Sequence, residues 1–197
     1  MNKTLDYYNK NAELFAKGTT NIDFSGMQDM FLSALSGGMK ILDFGCGSGR
    51  DTKYFLQKGY RVTALDGSAE LCRIAEEKAE IPVIQMDFND FDEQNEYDGI
   101  WACSSILHLP AQELRSVLIH MEKALHSDGV IYTSFKYGDS SGMRNGRYFT
   151  DFKEDSFRTF IADIEQLAIE KLWISDDVRL GRQDEKWLNM LLRTTRR

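Results

Sequence analysis

The sequence predicts an α/β fold in which a seven-stranded, mostly parallel sheet is doubly wound, with helices on both faces. Short apolar runs rich in β-branched and aromatic residues alternate along the chain with longer amphipathic stretches. Such alternation is typical of βαβ units, because parallel neighbours need a helical crossover between them. The chain has 197 residues, 42% of them apolar, which suits one domain with a full hydrophobic core.

Seven segments have the composition of strands and are bounded by Gly, Asp, Asn or Pro. They are residues 40–44, 60–65, 83–86, 97–103, 130–135, 166–174 and 186–192. The last two are joined by a polar loop that is too short for a helical crossover. The final strand is therefore predicted to be antiparallel.

The amphipathic stretches predict helices before, between and after these strands. Two helices, over 3–16 and 24–36, precede the first strand, and another covers 154–164. Ser48 and Asp51 have the spacing of a capping box for a helix that runs to Gly59.

Two more helices lie between the later strands. Ser68 is predicted to cap a helix that runs to Lys78. After Pro110, apolar residues recur on one helical face until Asp128-Gly129 ends the helix. These residues are Leu114, Val117, Leu118, Met121 and Leu125.

The charge and cysteine content limit the classes of partner. The net charge is −7, whereas proteins that neutralise nucleic-acid phosphates usually present a basic face. One local basic patch remains a candidate, formed by Arg193, Arg196 and Arg197. The three cysteines have no metal-binding spacing, which predicts free thiols, a reducing compartment and no metal site.

Targeting signals are not apparent in the sequence. The first residues lack the apolar run of a signal peptide, and no apolar stretch approaches the ~20 residues that span a bilayer. We therefore expect a cytoplasmic protein without a membrane partner.

The most informative segment is Asp43–Gly49, where an apolar strand ends in an aspartate and glycine then takes every second position. Glycines allow a bulky cofactor to lie against the main chain, and the helix that follows offers free N–H groups to a carboxylate. Dinucleotide folds have the order G-x-G-x-x-G, but this chain has G-x-G-x-G with Asp43 two residues before it. A carboxylate there repels a pyrophosphate and suits the cationic S-adenosylmethionine (SAM).

Two further acids follow the next two strands. Asp66 lies 23 residues beyond Asp43, close to the interval at which an acid meets ribose hydroxyls in nucleotide-binding folds. Asp87 is placed to accept a proton from an adenine amino group while Phe88 packs on the ring. Each acid alone is ordinary turn or loop chemistry. Three acids at three successive strand ends, however, form one rim of an open sheet, where ligands bind.

These motifs resemble those of the class I SAM-dependent methyltransferases. The matching segments are ILDFGCGSGRDT (41–52), VTALDGS (62–68), VIQMDFND (83–90) and EYDGIWACSSILHLP (96–110). The resemblance implies strand order 3-2-1-4-5-7-6 with strand 7 antiparallel. It implies that Gly45 and Gly47 face the methionine part, Asp66 the ribose, and Asp87 and Phe88 the adenine. Ala102, Cys103 and Ser104 are expected below the sulfonium, and Cys46 and Gly67 are counted among the cofactor-binding residues.

Within that group the chain is most similar to small bacterial enzymes of the tellurite-resistance type. This similarity implies a single domain with a helical lid over residues 1–37, a SAM-binding core over 38–137, and a substrate-side loop, helix and final strand pair over 138–197. Tyr8, Phe15 and Thr19 are the lid residues expected to cover the cofactor.

Residues on the acceptor side are predicted from their positions after the fourth and fifth strands. His108 follows the fourth strand and is a candidate general base, although a helix-entry residue bonded to backbone is equally in keeping with the pattern. Arg147 is a candidate clamp for an anionic acceptor, and Tyr148 a candidate packing residue. Both belong to a Gly/Ser/Asn-rich loop, residues 138–147 with the positions directly after them, that is long enough to be mobile. The pattern is equally in keeping with two ordinary loop anchors.

The sequence thus predicts a SAM-dependent methyltransferase that acts on a small molecule, as a monomer or homodimer. Three alternatives stay open: an RNA-modifying methyltransferase that uses the arginine-rich tail, a non-catalytic SAM-binding regulator, and an NAD oxidoreductase. Methyl transfer needs a base only when the acceptor is poorly ionised, so the sequence does not require a catalytic residue.

Overall fold

The computed structural model describes residues 2–179, 181–182 and 184–196, and within them the chain forms nine strands and six α-helices. The strands are β1 Lys40–Phe44, β2 Arg61–Asp66, β3 Val83–Gln85, β4 Tyr97–Ala102, β5 Leu125–Lys136, β6 Ser141–Arg144, β7 Arg147–Thr150, β8 Leu167–Asp176 and β9 Lys186–Thr194. The helices are α1 Lys3–Thr19, α2 Ser25–Ala34, α3 Arg50–Gln57, α4 Ala69–Ala79, α5 Ala111–Ala124 and α6 Glu154–Ile161.

Seven of the strands form one sheet in the order β3-β2-β1-β4-β5-β9-β8. Strands β1 to β5 are parallel, and β9 runs antiparallel to both β5 and β8. Because β8 and β9 are the sixth and seventh strands predicted from the sequence, the predicted order and the antiparallel last strand are confirmed. The carboxyl ends of β1, β2, β3 and β4 therefore share one edge.

Alternate residues of the central strands enter two cores on opposite faces of the sheet. In β1, Leu42 joins a core formed with α5 and α6, whereas Ile41 points to a second core that includes Phe31 of α2. The second core contains Trp101 stacked on Tyr132, with 4.0 Å between the ring centroids. This alternation buries the sheet on both faces, as a doubly wound fold requires.

The predicted capping box at the start of α3 is wrong. The N-cap is Gly49, whose φ of 76° is left-handed, and it makes no side-chain cap bond. Asp51 instead turns into the second core, where its carboxylate accepts from the Trp101 indole at 2.8 Å and from Gln28 Nε2 at 2.7 Å. A buried carboxylate needs such donors, and tertiary packing supplies them here.

The helix after Pro110 ends earlier than the sequence predicts. It stops at Ala124 rather than at Asp128-Gly129, and Leu125 already pairs with Tyr97 as the first residue of β5. The carbonyl of Ala124 accepts from the backbone N–H of Glu96 at 2.8 Å. Pairing with the preceding strand therefore ends the helix while the apolar spacing continues.

The segment 138–147 is largely ordered as one arm of a β-hairpin, so the predicted long mobile loop is wrong. Strands β6 and β7 pair antiparallel, with Arg144 opposite Arg147. Asn145 and Gly146 connect them with φ values of 49° and 80°. Asn-Gly is the dipeptide favoured in this two-residue turn, because both positions need positive φ.

Candidate functional site

The turn after β1 brings bare backbone to the rim of a deep cavity at the carboxyl edge of the sheet. Gly45, Gly47 and Gly49 all have positive φ, between 57° and 81°. A Cβ on Gly45 would lie 2.4 Å from Ser105 Cβ, and one on Gly47 would lie 3.2 Å from the Phe15 ring. The glycines are therefore required by the protein's own packing as well as by close approach of a ligand.

Asp66 lies at the end of β2 on the wall of this cavity. Its Oδ2 accepts from Gly47 N at 2.9 Å and its Oδ1 from Ser68 N at 2.8 Å. Burial raises the pKa of Asp66 to about 6, although the backbone N–H bonds oppose that shift. Each carboxylate oxygen keeps a further lone pair, so the pair can accept from two vicinal hydroxyls. The adjacent Gly67 also lines the cavity.

Asp87 and Phe88 line the cavity after β3. Asp87 Oδ1 accepts from the backbone and side-chain nitrogens of Asn89, both at 3.0 Å. Phe88 packs on Phe44 with 4.6 Å between centroids. Leu71 lines the same cavity and adds to its apolar surface. The arrangement suits a planar base with an exocyclic amino group.

The remaining predicted cofactor residues divide into two layers. Cys46 and Cys103 line the cavity, and burial raises the pKa of both thiols. Asp43 and Ala102 lie behind the wall and do not line it. Asp43 accepts from the Thr52 hydroxyl at 2.6 Å, and burial together with the Asp51 charge raises the pKa of the Asp43 carboxyl well above its usual range.

On the opposite wall, His108 is held between the lid and β7. Its Nδ1 lies 2.6 Å from the carbonyl oxygen of Tyr148, and its Nε2 lies 2.8 Å from the hydroxyl of Tyr8. A carbonyl only accepts, so Nδ1 carries the proton and Nε2 accepts from Tyr8. Burial lowers the pKa of His108 to about 4, so the ring is neutral at pH 7. Tyr148 contributes its backbone here, and its side chain does not line the cavity.

Arg147 lines the same wall and is enclosed by aromatic rings. Its guanidinium carbon lies 4.5 Å from the centroid of Tyr7 and 5.1 Å from that of Phe149. Nη1 donates to the Tyr8 hydroxyl at 3.4 Å. Nε is buried and has no partner among the described residues. A cation is thus presented beside the Tyr8–His108 pair.

The lid prediction places three further residues, and all of them, Tyr8, Phe15 and Thr19, line the cavity. Sequence reasoning missed Arg50, which lines it from the first turn of α3. Arg50 Nε is 2.7 Å from Asp51 Oδ1, and its position directly after the glycine turn was a signal for it.

Sequence reasoning also missed the segment between β8 and β9, where Asp177 and Arg179 line the cavity. A polar loop carries no pattern that would show this, because the antiparallel strand pair alone brings it there.

No cluster of His, Cys, Asp or Glu with metal-binding geometry occurs in the described part of the chain. Likewise, none of the helices in the described ranges is long and apolar enough to cross a membrane.

Comparison with known proteins agrees with this geometry. Residues 41–129 match a family model described as a methyltransferase domain. The chain is 26% identical over 182 residues to an uncharacterized methyltransferase of Geobacillus kaustophilus, covering 83% of this chain and 84% of that one.

Two solved structures share the fold. The 1,6-didemethyltoxoflavin N1-methyltransferase of Burkholderia thailandensis, bound to its substrate and S-adenosylhomocysteine, superposes with a TM-score of 0.75 at 20% identity, over 98% of this chain and 85% of that one. TehB from Haemophilus influenzae gives a TM-score of 0.71 at 21% identity, over 96% and 66%. At these identities the likeness shows the fold and does not favour the tellurite-resistance type over other members.

The acids at the ends of β2 and β3 and the bare turn after β1 line one cavity at the carboxyl edge of the sheet. The family match covers the segment that carries them. The chain thus carries a methyltransferase domain over residues 41–129 within the class I fold of SAM-dependent methyltransferases.

Proposed function

We propose that this enzyme methylates a small molecule that enters the cavity between the glycine turn and β7. The observation that carries the proposal is that helix α1 covers the cavity and is hydrogen-bonded to both of its sides. On one side Asn9 of α1 accepts from the Ser68 hydroxyl at 2.7 Å, and on the other Tyr8 donates to His108. A polymer needs an open groove, whereas a roofed cavity suits a compact acceptor.

The cofactor assignments follow the lining residues. SAM supplies the activated methyl group on its sulfonium. Asp66 accepts from the ribose hydroxyls, Asp87 accepts from the adenine amino group, and Phe88 packs on the base. Backbone at Gly45 and Gly47 lies along the methionine part. Arg50 is the guanidinium placed to hold the amino-acid carboxylate, since it lines the cavity from the N-terminus of α3.

Asp43 and Ala102 act indirectly in this proposal. Asp43 lies one layer below the glycine turn and shapes it through Thr52. Ala102 ends β4 directly before Cys103, which lines the cavity below the position of the sulfonium.

The acceptor's proton leaves through Tyr8 and His108. The methyl acceptor gives its proton to the Tyr8 oxygen as the Tyr8 proton moves to His108 Nε2. The other ring proton stays on Nδ1, which donates it in a hydrogen bond to the Tyr148 carbonyl oxygen. A ring with a pKa of about 4 is a weak base at neutral pH. The pair therefore serves an acceptor whose attacking atom becomes acidic as it gains the methyl group.

The RNA alternative has less support from the tail. Arg193 pairs with Glu170 and also donates to the carbonyl of Ala34 at 2.9 Å. Arg196 Nε lies 3.1 Å from Glu122. These two side chains hold the end of β9 to the body of the protein, and Arg197 lies outside the described residues.

A labelling experiment tests the proposal. The protein is incubated with SAM carrying a tritiated methyl group and with two fractions of a bacterial extract, one of small molecules and one of RNA. We expect label in the small-molecule fraction, lost in the Asp66→Asn variant. Label in RNA alone, weakening steeply with salt, would replace the small-molecule acceptor with RNA. Tight SAM binding without transfer to either fraction would favour a regulator.

A further inference from the structure

The two sides of the cavity carry different charged groups. The side formed by the ends of β2 and β3 carries acids, whereas four cations line the side formed by β5, β7 and the β8–β9 segment. These cations are Lys136, Arg147, Arg179 and Arg182, and Asp176 and Asp177 lie among them. The methyl acceptor enters on this side.

Three of these cations share acidic partners. Asp177 accepts from Arg179 Nε at 2.9 Å, from Trp187 Nε1 at 3.1 Å and from Lys136 Nζ at 3.3 Å. The Arg179 guanidinium and the other donors hold the pKa of Asp177 well below its usual range. Glu185 pairs with Lys136 and lies 3.6 Å from Arg182. Asp177 and Glu185 thus serve these three cations, and Asp176, which lines the same part of the wall, pairs with Lys186.

Arg147 differs from its neighbours because no carboxylate in the described ranges pairs with it. Its polar contact is the Tyr8 hydroxyl at 3.4 Å, and its buried Nε meets no acceptor within those ranges. The rings of Tyr7 and Phe149 hold the guanidinium plane in place. A partly buried guanidinium that no carboxylate neutralises is costly unless an anion completes it.

We infer that the methyl acceptor is an organic anion whose carboxylate or phosphate is bound by the Arg147 guanidinium. This inference rests on the proposed methylation of a small molecule. A planar guanidinium matches both oxyanions through two parallel N–H···O bonds. Arg147 lies against Tyr8, so the oxyanion and the atom that receives the methyl group are close neighbours in the acceptor.

The test measures binding of matched probes to protein saturated with S-adenosylhomocysteine, by ligand-observed NMR titration. Benzoate and phenyl phosphate represent the two oxyanions, and benzamide is the neutral counterpart of benzoate. We expect at least one anion to bind about tenfold or more tightly than benzamide, as a charge-assisted hydrogen bond implies. Whichever anion prevails distinguishes a carboxylate acceptor from a phosphate acceptor.

Variants localise the effect. Arg147→Met is expected to remove the preference for anions, and Arg147→Lys to retain part of it, while both keep their affinity for S-adenosylhomocysteine. Arg158→Met, on the exposed face of α6, is the matched control and is expected to bind all probes like the unmodified protein.

Several results would overturn the inference: equal binding of benzamide and benzoate, an unchanged anion preference in Arg147→Met, or no binding of either anion. None of them affects the proposed methylation itself. That proposal fails separately if the small-molecule fraction takes up no label.

Discussion

Replacing Asp66 by asparagine tests the assignment of the ribose site. Asparagine keeps the size of the side chain but removes the charge and one acceptor, so its single oxygen serves only one of the N–H groups of Gly47 and Ser68. Hydrogen bonds to a charged group are worth ~1.5–3 kcal/mol, which corresponds to about 10- to 150-fold in affinity for S-adenosylhomocysteine. Isothermal titration calorimetry at pH 7 measures this loss, and Asp90→Asn, on an exposed turn, is the control.

The pKa of the same carboxyl gives a second signature. Because the pKa of Asp66 is about 6, roughly one-tenth of the molecules carry the ionised form at pH 5 by the definition of a pKa. Ribose hydroxyls donate to the ionised form, so the dissociation constant should rise about tenfold from pH 7 to pH 5. The sign follows from a raised pKa, since binding strengthens as the pH rises through 6.

The pH dependence should vanish in Asp66→Asn, which has no proton to lose. A folded variant that binds S-adenosylhomocysteine as tightly as the unmodified protein, with the same pH profile, would refute the ribose role of Asp66.

Three further variants test other parts of the site and core. Gly47→Val should abolish calorimetric binding of S-adenosylhomocysteine, because its Cβ enters the space in front of Phe15 at a φ of 57°. Gly37→Val, also at a positive φ but in open space, is the control and should bind normally. Retained binding by Gly47→Val would show that the cofactor binds elsewhere. Tyr8→Phe should lower kcat by about 100-fold with unchanged cofactor affinity, since it breaks the path to His108, and unchanged turnover would remove that path. Phe135→Ala, at a fully buried position, should lower the free energy of unfolding by ~3–5 kcal/mol in urea titrations, and a loss below 1 kcal/mol would contradict its place in the core.

Local signals explain why the fold could be predicted. The strand runs, the helical spacing after Pro110 and the short final loop are all short-range features, and they were enough to give the alternating α/β fold and the antiparallel last strand. The strand order was implied by the resemblance to the class I SAM-dependent methyltransferases. Ser68 caps α4 as predicted, accepting from Leu71 N at 3.3 Å. The hairpin turn at Asn145-Gly146 also had a local signal, which the glycine- and serine-rich surroundings obscured.

Features that depend on distant partners could not be predicted. Asp51 has the spacing of a capping residue, yet the indole of Trp101, 50 positions later, turns it inward. The positions of Asp66 and Asp87 on the cavity wall were predictable because each acid stands at the end of a strand. The opposite wall was predicted only in part, because the segment with Asp177 and Arg179 reaches the cavity through strand pairing that no local pattern encodes.

The most direct test of the proposed cofactor site is a crystal structure of the protein with S-adenosylhomocysteine. We predict the ribose hydroxyls at ~2.5–3.2 Å from the Asp66 carboxylate, the adenine beside Phe88, and the sulfur facing the Tyr8 hydroxyl. Density for the ligand at another place, or a ribose that turns away from Asp66, would contradict it.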